Sequence, residues 1–184
     1  MVTLYLLSSD NLTGRDSQEL DDLAEIIEGL ANQLSRFSNW RVKHVGQAGA
    51  LPSHLQHTLE AAEQRSSQNS GLHINLAVGY GGRAEITGAV RRLVESHQHA
   101  GGTLDELPEN ISVQAIADNL DTVGQPDPDL VIRTSGEQRL SDFMLWQSAH
   151  SEFYFVEALG PDLREIDFLR ALRDFGTRQR RYGQ

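Results

Sequence analysis

Three short apolar runs, each released into a polar or glycine-bearing loop, restrict this chain more than any other feature. Val2 to Leu7 (VTLYLL) favours β structure almost from the first residue, and it is too uniformly apolar for an exposed edge strand. It reads as a buried parallel strand. Leu72 to Val78 is a second strand, and Asp129-Leu130-Val131-Ile132, after the turn-rich QPDPD segment, is a buried strand entered from a loop. Trp40 to Val45 alternates and ends at Gly46, a further strand. Helical patterns separate these runs. Asp16 with Glu19 makes a capping-box-like start, after which Leu20, Leu23, Ala24, Ile27, Leu30, Ala31 and Leu34 recur at helical spacing. Ser53 caps a helix that turns Leu55, Leu59 and Ala62 inward, and Ile86, Ala89, Val90, Leu93 and Val94 mark another. Residues 100–111 read as a loop, a short helix from Ser112 or Val113 runs through Asn119, and residues 124–129 link to the next strand. Leu163 to Arg181 is a last helix whose apolar side is Ile166, Leu169, Leu172 and Phe175. Alternation of this kind implies an α/β fold, a single layer of sheet flanked by helices. With 184 residues, one domain with a sizeable core is the expectation.

Charge and composition then limit the ligands. A formal net charge of -10 argues against a nucleic-acid partner, which requires a basic domain or stripe. Any anionic ligand must therefore meet a local positive site. The chain has no cysteine, so disulfides, thiol catalysis and cysteine-based zinc sites are excluded. No apolar run approaches the roughly 20 residues of a transmembrane helix, and MVTLYLLSSDN lacks the basic start and long apolar stretch of a signal peptide. A cytoplasmic protein is the expectation, in which the sequons Asn11-Leu12-Thr13 and Asn110-Ile111-Ser112 carry no meaning.

The carboxyl ends of strands in open α/β sheets are where ligands bind, and here those ends are polar. After Ile132 come Arg133, Thr134, Ser135, Gly136, Glu137, Arg139 and Ser141. Two planar guanidinium forks with hydroxyl and backbone donors beside them suit a diphosphate better than a single carboxylate. The plain alternative is a surface loop with Arg139 paired to Glu137 or Asp142. Glu152, between the apolar run Phe143 to Trp146 and the aromatic Phe153-Tyr154-Phe155, is either solvated or held for a cation. Ser8-Ser9-Asp10-Asn11 crowns the first strand. Gly79-Tyr80-Gly81-Gly82-Arg83 either lets backbone N–H groups approach a phosphate at a helix start or simply makes a turn. Two other signals are weaker. Neither His54 with His57 nor His97 with His99 has an acidic third ligand at metal spacing. Asp21-Asp22-Leu23-Ala24-Glu25 imitates the aspartate-rich motif of trans-prenyltransferases and terpene cyclases, but its acids fall off the apolar stripe and read as a solvated face.

The stretch IRTSGEQRLSDFMLWQSAHSEFYF resembles the signature region of the cis-prenyltransferases, the family of undecaprenyl diphosphate synthase and the short-chain Z-isoprenyl diphosphate synthases. YLLSSDN and GYGGR are similar to two more of that family's segments, with Gly79 in place of an Asn, Leu12 in place of a common Trp, Gln138 in place of a common His and Ser135 in place of a common Gly. Arg181-Tyr182-Gly183 resembles the family's C-terminal Arg-x-Gly. The wording looks most like the short-chain, Z-farnesyl-type members.

The resemblance implies an undecaprenyl diphosphate synthase-like fold and a reaction joining an allylic prenyl diphosphate to isopentenyl diphosphate, with pyrophosphate released. It implies that Arg133, Arg139 and Ser141 bind the diphosphate of isopentenyl diphosphate, that Ser8 and Asn11 form a polar relay at the reacting diphosphate, and that Glu152 is associated with Mg2+. Arg15 is carried over as a diphosphate ligand on an approximate match. Arg181 and Gly183 belong, by the same resemblance, to a tail that crosses a dimer interface, so a homodimer or heteromer is expected; the alternative is a frayed basic helix end. The helices around Leu20 to Leu34 and Ile86 to Val94 are candidate walls for a prenyl tunnel or ordinary core. Family members carry a first strand, an Asp-Gly-Asn loop and two helices ahead of the equivalent of Val2, and the sequence lacks these. The expectation is a longer cellular protein encoded from an earlier start; the alternatives are a second polypeptide, or a reduced protein. Two further functions stay open: an accessory subunit completing a partner's site, and a terpene cyclase-like enzyme that releases diphosphate without isopentenyl diphosphate.

Overall fold

A computed structural model describes residues 1–14 and 16–178. Among these residues five strands and seven α-helices follow one another as β1 (Val2–Ser8), α1 (Ser9–Gly14), α2 (Ser17–Leu34), β2 (Trp40–Val45), α3 (Ser53–Ser66), β3 (Leu72–Tyr80), α4 (Gly82–His99), α5 (Leu107–Asn110), α6 (Val113–Ala117), β4 (Leu130–Arg133), β5 (Glu152–Phe155) and α7 (Glu165–Thr177). The chain divides into two compact units, Met1–Gly124 and Gln125–Gln184.

In the first unit β3 lies between β1 and β2, parallel to both. Its nine residues are buried from Ile74 onward, which explains their near-continuous apolar character: a strand covered on both faces has no solvent side to make polar. Against it pack Ala24, Ile27 and Ala31 of α2 with Leu55, Leu59 and Ala62 of α3, in one cluster with Leu7, Val42, Ile74, Leu76 and Val78. The helices come close because small residues alternate with large ones on their inner faces. Asp16 caps α2 by accepting the backbone N–H of Glu19 at 2.9 Å, as the capping pattern predicts. Ser66, the buried last residue of α3, donates to the Ala62 carbonyl and accepts the Val42 N–H, each at 2.9 Å, so its burial leaves no donor unmet.

Four local expectations are corrected. β1 is an edge of its sheet among the described residues, pairing with β3 alone; apolar composition reports covered side-chain faces and says nothing about a free backbone edge. Ser53 opens α3 as its first residue, the cap position being Pro52 without a side-chain bond. The loop at 100–111 contains the short helix α5, with its proline in the first turn, where a missing N–H costs nothing. The fourth concerns α7.

In the second unit β4 and β5 pair in parallel, Leu130 opposite Glu152 and Arg133 opposite Phe155, as a two-stranded sheet. Helix α7 buries Asp167 and Ala171, while Ile166, Leu169 and Leu172, its anticipated core side, are exposed, Leu169 at 48%. Asp167 is tied down by charge. It accepts from Arg164 Nε at 2.9 Å and Nη2 at 3.2 Å, from Arg170 Nη1 at 3.2 Å, and from the Arg164 backbone N–H at 3.4 Å, the reach-back half of a capping box. No helix among the described residues is long and apolar enough to cross a membrane.

Two measurements follow from this packing. Leu55 is fully buried in the central cluster, so Leu55→Ala should cost about 3 kcal/mol in urea unfolding, a deletion that leaves a cavity. The Arg164 side-chain hydrogen bond holds the Asp167 carboxyl below its ordinary 3.8, against desolvation, and Arg170 adds charge attraction. A carboxylate with a lowered folded pKa contributes stability that is present above 3.8 and fades as pH falls through its folded value. Thermal melts from pH 5 downward should therefore show a shallower acid loss in Asp167→Asn than in the parent; parallel curves would refute that contribution.

Candidate functional site

Ser8 and Asn11 lie at the carboxyl end of β1, where Ser8 stands opposite Tyr80 of β3. The backbone N–H of Asn11 donates to Ser8 Oγ at 3.1 Å, so the hydroxyl of the last strand residue starts α1 and holds Asn11 one turn above the sheet rim. Parallel strands put all three carboxyl ends of this sheet at one rim, and its glycines serve close approach. Gly79 has φ +64°, and a Cβ there would stand 3.0 Å from Leu51 Cδ2 and 3.1 Å from Leu12 Cδ1. Glycine and asparagine are the residues that tolerate this left-handed backbone, which accounts for their exchange at this position of the motif. The GYGGR stretch is thus built first as a turn that seats α4.

Beneath that turn is a buried carboxylate that the sequence reading passed over. Glu85, on the inner face of α4 between Gly82 and Ala89, is 6% exposed. Tyr80 Oη donates to its Oε2 at 2.5 Å, and the Asp121 N–H donates to its Oε1 at 3.1 Å. Asp121 in turn accepts from Arg92 Nη2 at 3.1 Å and from the Gly46 N–H at 3.2 Å, while its carbonyl accepts Lys43 Nζ at 2.6 Å. The signal was available: an acid set between two small residues on an inward stripe is unpaired unless the fold supplies donors. This network ties α4, β2, β3 and the 119–122 segment behind the rim.

The second unit assembles the arginine-rich stretch. Arg133, the last residue of β4, donates through Nη1 to the Arg139 carbonyl at 2.5 Å and to Ser141 Oγ at 2.6 Å. Its Nη2 pairs with Glu137 Oε2, and Arg139 Nη2 donates to Glu137 Oε1 at 2.9 Å. Arg133, Arg139 and Ser141 are therefore one hydrogen-bonded knot with the Glu137 carboxylate bridging both guanidiniums. The plain alternative of an Arg139–Glu137 pair is present within it, as one arm. Arg133 Nε is buried with no hydrogen-bond partner among the described residues. The backbone here is under strain: the described non-glycine residues with left-handed φ are Ser135 (78°), Ser141 (47°), Asp142 (60°) and Met144 (45°), and all fall in this loop. Ser135 occupies a conformation that glycine, the common residue at that position of the motif, takes freely.

Glu152 is placed elsewhere. Paired with Leu130 in a parallel register, it stands at the entry end of the two strands and Arg133 at the exit, about 10 Å of strand apart at 3.3 Å per residue. Its Oε2 accepts Arg178 Nη1 at 2.8 Å, and Arg178 also binds Asp174 Oδ2 at 2.6 Å through Nη2. Glu152, then Asp174, hold that guanidinium more firmly in its charged form. No cluster of three or more acidic or histidine side chains among the described residues is arranged to hold a metal ion. Glu152 has one carboxylate oxygen, Oε2, on Arg178. An open cleft of about 330 Å³ between the end of β5 and α7 carries Arg164 and Arg170, but both are spent on Asp167. Arg15, Arg181 and Gly183 lie outside the described residues.

Comparison with known proteins accounts for this arrangement along the whole chain. A family model described as "Putative undecaprenyl diphosphate synthase" matches residues 1–183. Isoprenyl transferase 1 of Tropheryma whipplei is 54% identical over 187 residues, covering 100% of this chain and 70% of that protein. The (2Z,6E)-farnesyl diphosphate synthase of Mycobacterium tuberculosis is 49% identical over 185 residues, covering 100% of this chain and 70% of that protein. The crystal structure of lavandulyl diphosphate synthase from Lavandula x intermedia, in complex with dimethylallyl diphosphate, superposes with a TM-score of 0.89 at 36% identity, over 100% of this chain and 79% of that one. The match from end to end, with the arginine knot and the glycine turn inside it, shows that this chain belongs to the undecaprenyl diphosphate synthase family of cis-prenyltransferases.

Proposed function

We propose that this protein condenses an allylic prenyl diphosphate with isopentenyl diphosphate to a short-chain Z-prenyl diphosphate, releasing pyrophosphate. The observation that carries the reading is the knot after β4, in which Arg133 and Arg139 converge on one carboxylate while Ser141 Oγ braces Arg133. In this reading that group holds the diphosphate of isopentenyl diphosphate, and the strained loop keeps its donors aimed at one point. The terminal alkene carbon of the bound substrate attacks the first carbon of the allylic partner: a carbon–carbon bond forms, the allylic carbon–oxygen bond breaks, pyrophosphate departs, and loss of a proton from C2 of the isopentenyl unit forms the new double bond. Donors aimed at the departing diphosphate lower that barrier. Ser8 and Asn11, fixed to one another at the rim of the first sheet, are assigned that task. The names of the relatives in Tropheryma whipplei and Mycobacterium tuberculosis support a prenyl product, the latter a short one.

The family resemblance also assigns Mg2+ to the reaction. Glu152 is the residue assigned to that ion; among the described residues its Oε2 is paired with Arg178. The two units are assigned to one working domain, and the protein to the cytoplasm as a homodimer or heteromer.

Incorporation of labelled isopentenyl diphosphate into extractable lipid, with geranyl or farnesyl diphosphate and Mg2+, tests the reading. Product should form, and Arg139→Ala should raise KM for isopentenyl diphosphate roughly tenfold or more by removing a charge-assisted contact. Diphosphate release that needs no isopentenyl diphosphate would point to cyclase chemistry. Lack of product from a folded sample that becomes active with a second prenyltransferase subunit would point to the accessory role.

A further inference from the structure

We infer that Glu137 is a resident competitor for the diphosphate site: in the free protein its carboxylate occupies the two guanidiniums meant for substrate, and the incoming diphosphate binds by displacing it. The inference rests on the function proposed above. Both carboxylate oxygens are engaged, Oε2 by Arg133 and Oε1 by Arg139, so a single group spans the two forks as one bridging anion would. No donor of either fork that Glu137 uses can serve a ligand while it stays.

Three features make this occupancy temporary. First, the pair is not sealed: the Glu137 side chain is 45% exposed and that of Arg139 69%, so water screens the attraction and its hold is weak. Second, the fit is incomplete, because Arg133 Nε remains buried without a hydrogen-bond partner among the described residues, a donor that a carboxylate bridging Nη2 and Arg139 does not reach. A diphosphate brings more oxygens than Glu137 and can satisfy it. Third, Glu137 directly follows Ser135 and Gly136, both at left-handed φ, in a connection without regular structure, so its release breaks no helix or strand hydrogen bond. Ser141 and the Arg139 carbonyl, bound to Arg133 Nη1, keep that arginine in place when the carboxylate leaves.

Displacement has a signature that a positioning role lacks. Releasing Glu137 costs the same whichever anion replaces it, so removing its charge should raise affinity for different anions by one common factor. A carboxylate that stayed to aim the arginines would, when lost, lower those affinities. The test is calorimetric titration of inorganic pyrophosphate, and separately of inorganic phosphate, into the full chain, its Glu137→Gln and Glu137→Ala variants, and Arg139→Ala, with thermal melts to establish folding. Both Glu137 variants should bind both anions about three- to tenfold more tightly, the range expected for losing one exposed ion pair and one whose arginine is half-buried. Unchanged or weaker binding in whichever Glu137 variant folds, with Arg139→Ala impaired, would overturn the competitor and leave the site assignment standing. Pyrophosphate binding untouched by Arg139→Ala would overturn the site assignment and the competitor together.

Discussion

The backbone of β3 is the constraint from which the first unit follows. A strand buried from Ile74 to Tyr80 has no water for its N–H and C=O groups, so it must have a partner strand on each side, and β1 and β2 supply them. Once three parallel strands are side by side, their connections must cross back over the sheet, which brings α2 and α3 onto it and buries Ala24, Ile27, Leu55 and Leu59. The carboxyl ends then fall at one rim. Ser8, Gly46 and Tyr80 are rim residues because of hydrogen bonding far from any chemistry.

Much of this is legible in the residues, and the failures share a cause. Strands announce themselves by apolar runs, and the grouping of Arg133, Arg139 and Ser141 by their nearness in sequence just after a strand. What cannot be read locally is what each group meets. Glu152 and Arg178 are 26 positions apart, and no pattern in either segment names the other. The apolar stripe of α7 was readable, but the face it buries is that of Asp167 and Ala171, and the Asp167 carboxylate is made tolerable there by three bonds from Arg164 and Arg170 of the helix's own start and first turns. Glu85 was similarly hidden, an acid inside an amphipathic pattern whose partners Tyr80 and Asp121 come from a strand end and a distant loop.

An acidic protein that handles anions has to confine its positive charge. With a formal net charge of -10, the chain repels diphosphates at long range, and only a local concentration of guanidinium groups reverses that field. Leaving such groups bare would repel one arginine from the other and bring in any anion at hand. The carboxylate between Arg133 and Arg139 neutralises one of the two charges. The arrangement is held by a backbone that tolerates four left-handed non-glycine residues within ten positions, a local cost carried by the packing of Met144, Gln147 and Ser148 beneath it.

The contrast between the two sheets has a dynamic consequence. Seven buried residues and two neighbours make β3 the part of the chain that opens only when the whole first unit does. β4 and β5 are four residues each, half-buried, and paired only with one another among the described residues, and a two-stranded sheet of that size is marginal by itself. Amide protons of Val131 and Tyr154 therefore exchange through local openings that leave the β3 amides untouched. The arginines are thereby mounted at the end of the less protected of the two sheets.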